Sequence, residues 1–124
     1  MLARLLAVLA VVLTAGALSA AAQGSATTTA DCQAQLSQLR ADTVAAQGSF
    51  VNAKDFDGAI AKLDAAASKL AAGSTADAAQ KVGDYQRLLT ALATAPKPKL
   101  DPAVAATLND EAQGVVDCIN ASST

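Results

Sequence analysis

The sequence predicts an all-α protein, an antiparallel up-down-up-down four-helix bundle that follows an N-terminal signal peptide, and three observations predict it. Apolar residues recur at spacings of three and four in four separate stretches, which places each set on one face of a helix. The stretches are joined by short connections rich in helix stop and start residues, among them Gly73, Pro96, Pro98 and the Asp101-Pro102 pair. The two cysteines, Cys32 and Cys118, stand at the outer ends of the first and fourth stretches, and in this topology those ends coincide.

Residues 1–22 have the layout of a secretory signal: a short start carrying Arg4, an apolar run from Leu5 to Leu13, and small residues from Thr14 to Ala22. Ala20-Ala21-Ala22 offers a small-x-small cleavage site before Gln23, with Ser19-Ala20-Ala21 as a neighbouring option. No cysteine follows the LSAA stretch, which argues against a lipidated protein. The alternative is an uncleaved anchor, since no charge occurs between Arg4 and Asp31. The second half of the stretch is mostly Ala, Gly, Ser and Gln, which suits cleavage better than a bilayer and leaves no stable membrane span in the mature chain.

Residues 23–30, QGSATTTA, are small and polar without an apolar period, and read as a disordered leader. The bundle is expected over residues 31–120. Asp31 caps a first helix whose stripe is Cys32, Leu36, Leu39, Thr43 and Ala46. Gly48-Ser49 ends it, Phe50 and Val51 continue apolar through the connection, and Asn52 with Asp55 caps the second helix. That helix carries Phe56, Ile60, Leu63, Ala67 and Leu70, then stops at Gly73, which can adopt the left-handed conformation. Ser74 and Asp77 form a capping box for the third helix, with Ala78, Val82, Tyr85, Leu89 and Leu92 on its stripe. It should end at Ala95, because Pro96 and Pro98 disfavour helix in the residues before them. Asp101 caps and Pro102 opens a fourth helix with Val104, Leu108, Ala112, Val115 and Ile119 inward. Residues 121–124 are read as a disordered tail.

Composition bounds what such a bundle can do. The chain has 124 residues, enough for one ordinary domain. Its hydrophobic fraction is 52%, but about a quarter of the residues are alanine, so the core is thin. Aromatics at 2% leave little for a ring-lined pocket or a base-stacking surface, and a formal charge of -2 does not suit nucleic acid. A bridge between Cys32 and Cys118 fits an exported chain with two cysteines, and closing that loop should stabilise by roughly 4.6 kcal/mol in the chain-entropy estimate.

Chemistry is scarce. Without histidine the commonest general base, metal ligand and haem ligand are missing together. Two thiols alone make a poor zinc set. Lys54, Lys62, Lys69 and Lys81 read as a solvated face beside aspartates. Asp55, Asp57 and Asp64 do not make a calcium loop, because Phe56 and Ile60 belong to the apolar stripe. Asp110-Glu111 and Asp117 read as an exposed acidic face, and Tyr85 as a core-edge residue with a wet tip. Asn120-Ala121-Ser122 matches a glycosylation sequon and nothing more. No catalytic, cofactor-binding or metal-binding residue is assigned; the only site residues are the disulfide pair.

The region from Leu36 to Ile119 resembles the FIMAH domain, a small all-helical module of extracellular bacterial proteins. The resemblance lies in AIAKLDAAASKLAAGSTADAA and in PKPKLDPAVAATLNDEAQGVV, at Ala61, Lys62, Leu63, Gly73, Ala78, Ala79, Leu100, Leu108 and Val115. All are scaffold positions. The chain departs from that pattern at Tyr85, where the family usually has phenylalanine, and at Ala95-Pro96, where a glycine precedes lysine; the cysteines are not part of it. Invertase inhibitors and haem-binding bacterial helical proteins fit worse, the first for their cysteine content and the second for want of an axial ligand. The resemblance implies an accessory module of secreted proteins with no settled catalytic role.

The resulting expectation is a secreted, non-enzymatic helical module for protein or cell-envelope interaction, without cofactor or nucleic-acid partner. The alternative is a carrier that holds a lipid or other apolar small molecule between the helices.

Overall fold

The computed structural model describes residues 28–122, and the expected signal segment and most of the expected leader lie outside them. Four helices follow one another: α1 (Thr29–Ala45), α2 (Ala53–Ala71), α3 (Thr75–Thr94) and α4 (Pro102–Ser122), with one turn of 3-10 helix at Gln47–Ser49 after α1. Each helix packs on its neighbour in sequence, and α1 packs on α4 to close the ring. With connections this short, the result is the up-down-up-down bundle.

α1 begins earlier than the sequence suggests. Thr28 is its N-cap, accepting from the Asp31 amide, while the Asp31 carboxylate accepts from the Thr28 amide at 3.1 Å. Asp31 is thus the third helical residue of a capping box rather than the cap itself. The last three residues of the expected leader, Thr28 to Ala30, therefore belong to the helix and its cap. At the other end of the chain α4 runs to Ser122, so the first two residues of the expected tail are helical.

Asn52 and Ser74 occupy N-cap positions, but neither side chain caps a backbone amide. The Asn52 amide instead donates to the Asp55 carboxylate at 3.3 Å. At Gly73 the backbone φ is +82°, the conformation that lets α2 stop and the chain reverse into α3. α3 ends at Thr94, and the Asp101 carboxylate accepts from the Ala103 amide at 2.9 Å to cap α4.

The core repeats most of the sequence stripes, with α2 turned by one position at Ile60 and Ala67, α4 by one position at Val104, and Ala46 at the end of α1 at the margin. In α1 and α3 the expected positions Cys32, Leu36, Leu39 and Thr43, and Ala78, Val82, Tyr85, Leu89 and Leu92, are buried. In α2 the buried set is Phe56, Ala59, Leu63, Ala66 and Leu70, while Ile60 and Ala67 pack at its margin. The buried set keeps the three-four spacing of one helical face, with Ala59 and Ala66 in place of the larger Ile60 and the equal-sized Ala67. In α4, Ala105 and Cys118 are buried alongside Leu108, Ala112, Val115 and Ile119, and Val104 lies at the margin.

Both ends of the bundle are fastened. At the end carrying the first turn of α1 and the last of α4, Cys32 and Cys118 form a disulfide with Cα atoms 5.6 Å apart. At the opposite end the α1–α2 and α3–α4 connections meet: Phe50 and Leu100 form an antiparallel backbone bridge, and the Val51 amide donates to the Lys99 carbonyl at 2.9 Å. The bridge turns Phe50 inward against Phe56, ring centroids 5.5 Å apart and edge to face, and turns Val51 out to solvent. Leu100 is buried there, a plug that no helical stripe announced.

No helix among the described residues is long and apolar enough to cross a membrane.

Candidate functional site

The seam between α1 and α4 is built differently at its two ends. Toward the disulfide, Cys32 and Leu36 of α1 and Val115, Cys118 and Ile119 of α4 are buried. Toward the other end α1 contributes Ala46 and α4 contributes Ala103, and these short side chains leave a surface groove of about 340 Å³. Val104, Thr107 and Leu108 complete its wall, and Asp42 from α1 and Glu111 from α4 complete its lining. Asp42 lies ten residues after Cys32, so the groove sits roughly 15 Å along α1 from the disulfide.

Among the described residues Glu111 is the one carboxyl pushed well up, to about 7. Burial is the largest cause, and Asp42 adds to it twice, as a hydrogen-bond acceptor for the protonated acid and as a like charge. Glu111 Oε1 is buried with no hydrogen-bond partner, whereas Asp42 accepts from the Gln38 amide at 2.9 Å. Near neutral pH Glu111 is therefore protonated part of the time. Glu111 was expected on an exposed acidic face with Asp110 and Asp117; Asp110 and Asp117 are exposed, but Glu111 is half-buried in the seam. One turn separates it from Leu108 and Val115, which draws its stem toward the core.

Next to Asp42 on α1, Thr43 is fully buried and bonded to Tyr85 of α3, oxygen to oxygen at 2.7 Å. Thr43 also gives its only proton to the Leu39 carbonyl, 2.7 Å away, so the Tyr85 hydroxyl is the donor between them. Tyr85 has no exposed surface, which corrects the expectation of a wet tip. Burial above all, with the charges of Glu111 and Asp42 behind it, raises its pKa to about 12. The sequence signal for this was Thr43, a hydroxyl in the middle of an apolar stripe.

A second groove, between α3 and α4, is lined by Gly83, Gln86, Arg87, Thr90, Ala91 and Asn109. Gln86 crosses it to the Asn109 carbonyl and the Gln113 side chain, and Asn109 donates to Thr90 at 3.3 Å. These bonds lace the two helices together. On the α1–α2 face, Arg40 and Asp64 form an exposed ion pair at 2.7 Å, which occupies one of the three aspartates weighed for calcium. Asp55 is half-buried beside Asn52, Asp57 is exposed, and no cluster suited to a metal occurs among the described residues. Lys54 and Lys69 are exposed, while Lys62 and Lys81 are half-buried. The sequon Asn120-Ala121-Ser122 lies on the last turn of α4, where the Ser122 hydroxyl donates to the Ile119 carbonyl.

Comparison of the chain with protein-family models, with curated proteins and with solved structures finds no match.

Proposed function

We propose that the chain is an exported, non-enzymatic helical module that acts through its surface, on a protein or a component of the cell envelope. The observation that carries this reading is the Cys32–Cys118 disulfide, which joins the first helix to the last. Such a bond persists in an oxidising compartment and gives a small, alanine-rich core the stability that burial alone supplies poorly. Residues 1–22 supply the matching export signal. The non-catalytic reading draws its support from two observations, while among the described residues Glu111, with a pKa of about 7, is the one group that weighs against it. The sequence contains no histidine, and the Tyr85 hydroxyl, sealed in the core with a pKa near 12, exchanges no proton with a substrate at neutral pH.

The FIMAH resemblance belongs to the same proposal. Of the positions that carry it, Leu63, Ala78, Leu100, Leu108 and Val115 are buried, so they support a likeness of packing and assign no chemistry.

A second reading, a carrier of an apolar small molecule, is favoured by one observation, the groove between α1 and α4 with Ala46, Val104 and Leu108 in its lining. Native mass spectrometry of the exported protein separates the two. A bare mass two hydrogens short of the reduced chain supports the module; a retained apolar adduct supports the carrier. A chain that keeps residues 1–22 and stays in the cytoplasm with two free thiols contradicts both.

A further inference from the structure

We infer that the groove between α1 and α4 binds a small organic cation with an apolar body, an alkyl or aryl ammonium whose head lies on Asp42 and Glu111 and whose body lies against Ala46, Val104 and Leu108. The inference deepens the carrier reading by naming the head group.

Shape and charge divide the groove in the same way. Its volume of about 340 Å³ falls at the small end of the range for small-molecule sites. One part of the lining is aliphatic, and the other holds two carboxylates from opposite helices. Among the described residues neither carboxyl group has an ion-pair partner; the pairs that form are Arg40 with Asp64 of α2 and Arg87 with Asp84 within α3. Glu111 Oε1 is buried and accepts no hydrogen bond. A buried acceptor of this kind gains most from a charged donor, and an ammonium brings three N–H groups on a compact charge. A divalent metal is the poorer fit, since it requires about six oxygen ligands and the rest of the lining is mostly hydrocarbon. An anion would meet like charge.

The groups facing Glu111 set the pH response. Asp42 faces it from α1, and from α3 the nearest titratable group is Tyr85, neutral throughout the ordinary range. In mild acid Glu111 keeps its proton and bonds Asp42, so an incoming ammonium competes with that proton. Above neutrality Glu111 is ionised and the ammonium remains charged, so binding tightens.

The test is a heteronuclear NMR titration of the exported, disulfide-bonded protein with hexylammonium, 1-hexanol and hexanoate, at about pH 8 and about pH 5.5. The expected result is shifts centred on Ala46, Val104 and Leu108, with hexylammonium binding about tenfold more tightly than hexanol at the higher pH and only about threefold at the lower. Thr107→Lys, at an exposed position one turn before Glu111, places an internal ammonium at the pair and is expected to abolish the preference while leaving the spectrum of the core unchanged. Equal affinity for hexylammonium and hexanol in this groove overturns the inference and leaves the carrier reading standing. Absence of shifts with all three probes overturns both. Shifts that track protein concentration instead of probe assign the face to a second copy of the chain, and also overturn it.

Discussion

The hydroxyl of Tyr85 on α3 donates to Thr43 on α1 across the centre of the bundle, 2.7 Å away, and the Thr43 hydroxyl in turn donates to the Leu39 carbonyl. Two helices that are diagonal in the ring are thereby tied by a buried chain of bonds, each member satisfied. Tyr85→Phe removes the donor and leaves a buried Thr43 oxygen short of one, at an expected cost of about 1–2 kcal/mol. Denaturant unfolding followed by circular dichroism measures it.

Tyr85 is the only tyrosine and the chain has no tryptophan, so phenolate absorbance reports one group. In the folded protein that absorbance is expected to rise only around pH 12, or together with unfolding. Titration in the range of free tyrosine, about pH 10, with the fold intact would place the hydroxyl in water.

Glu111 links the fold to pH. Its acid form is favoured in the folded state, where its pKa is about 7 against an ordinary value of 4.5, so its stabilising effect is complete below about 4.5 and is lost as pH rises through 7. Glu111→Gln keeps the neutral form at every pH. The variant should match the parent near pH 4.5 and exceed it at pH 8 by about 1 kcal/mol, a value discounted for the partial exposure of the pair. Thermal melts at the two pH values check the sign.

Gly73 lies in the α2–α3 connection and Leu100 in the α3–α4 connection. Gly73→Ala meets open space but puts a β-carbon on a backbone at φ +82°, at an expected cost of roughly 1–2 kcal/mol. Leu100→Ala empties a fully buried site beneath the Phe50 bridge, at an expected cost of about 2–5 kcal/mol. Chemical denaturation of both variants ranks them, with Leu100→Ala the more damaging.

The helices, their stops and the disulfide were legible because each follows from local pattern: period, proline, glycine and the position of two cysteines. The capping residues were less so. Ser, Asn and Asp near a helix start announce a cap, but which one serves depends on where the chain enters, and Thr28 took the place expected of Asp31. The bridge between Phe50 and Leu100 was not legible, since it joins two loops fifty residues apart and neither has strand periodicity. The carboxyl pair was missed for a related reason. Asp42 and Glu111 have unremarkable neighbours in sequence, and only the antiparallel seam of α1 and α4 sets them beside one groove.

The central claim is a bundle whose first and last helices are held together by sulfur in an oxidising compartment. Thiol alkylation of the exported protein under denaturing conditions, read by intact mass with and without prior reduction, tests it most directly. The account predicts no label before reduction and two labels on a single polypeptide after it. Two labels before reduction, on protein that had been folded, would contradict it.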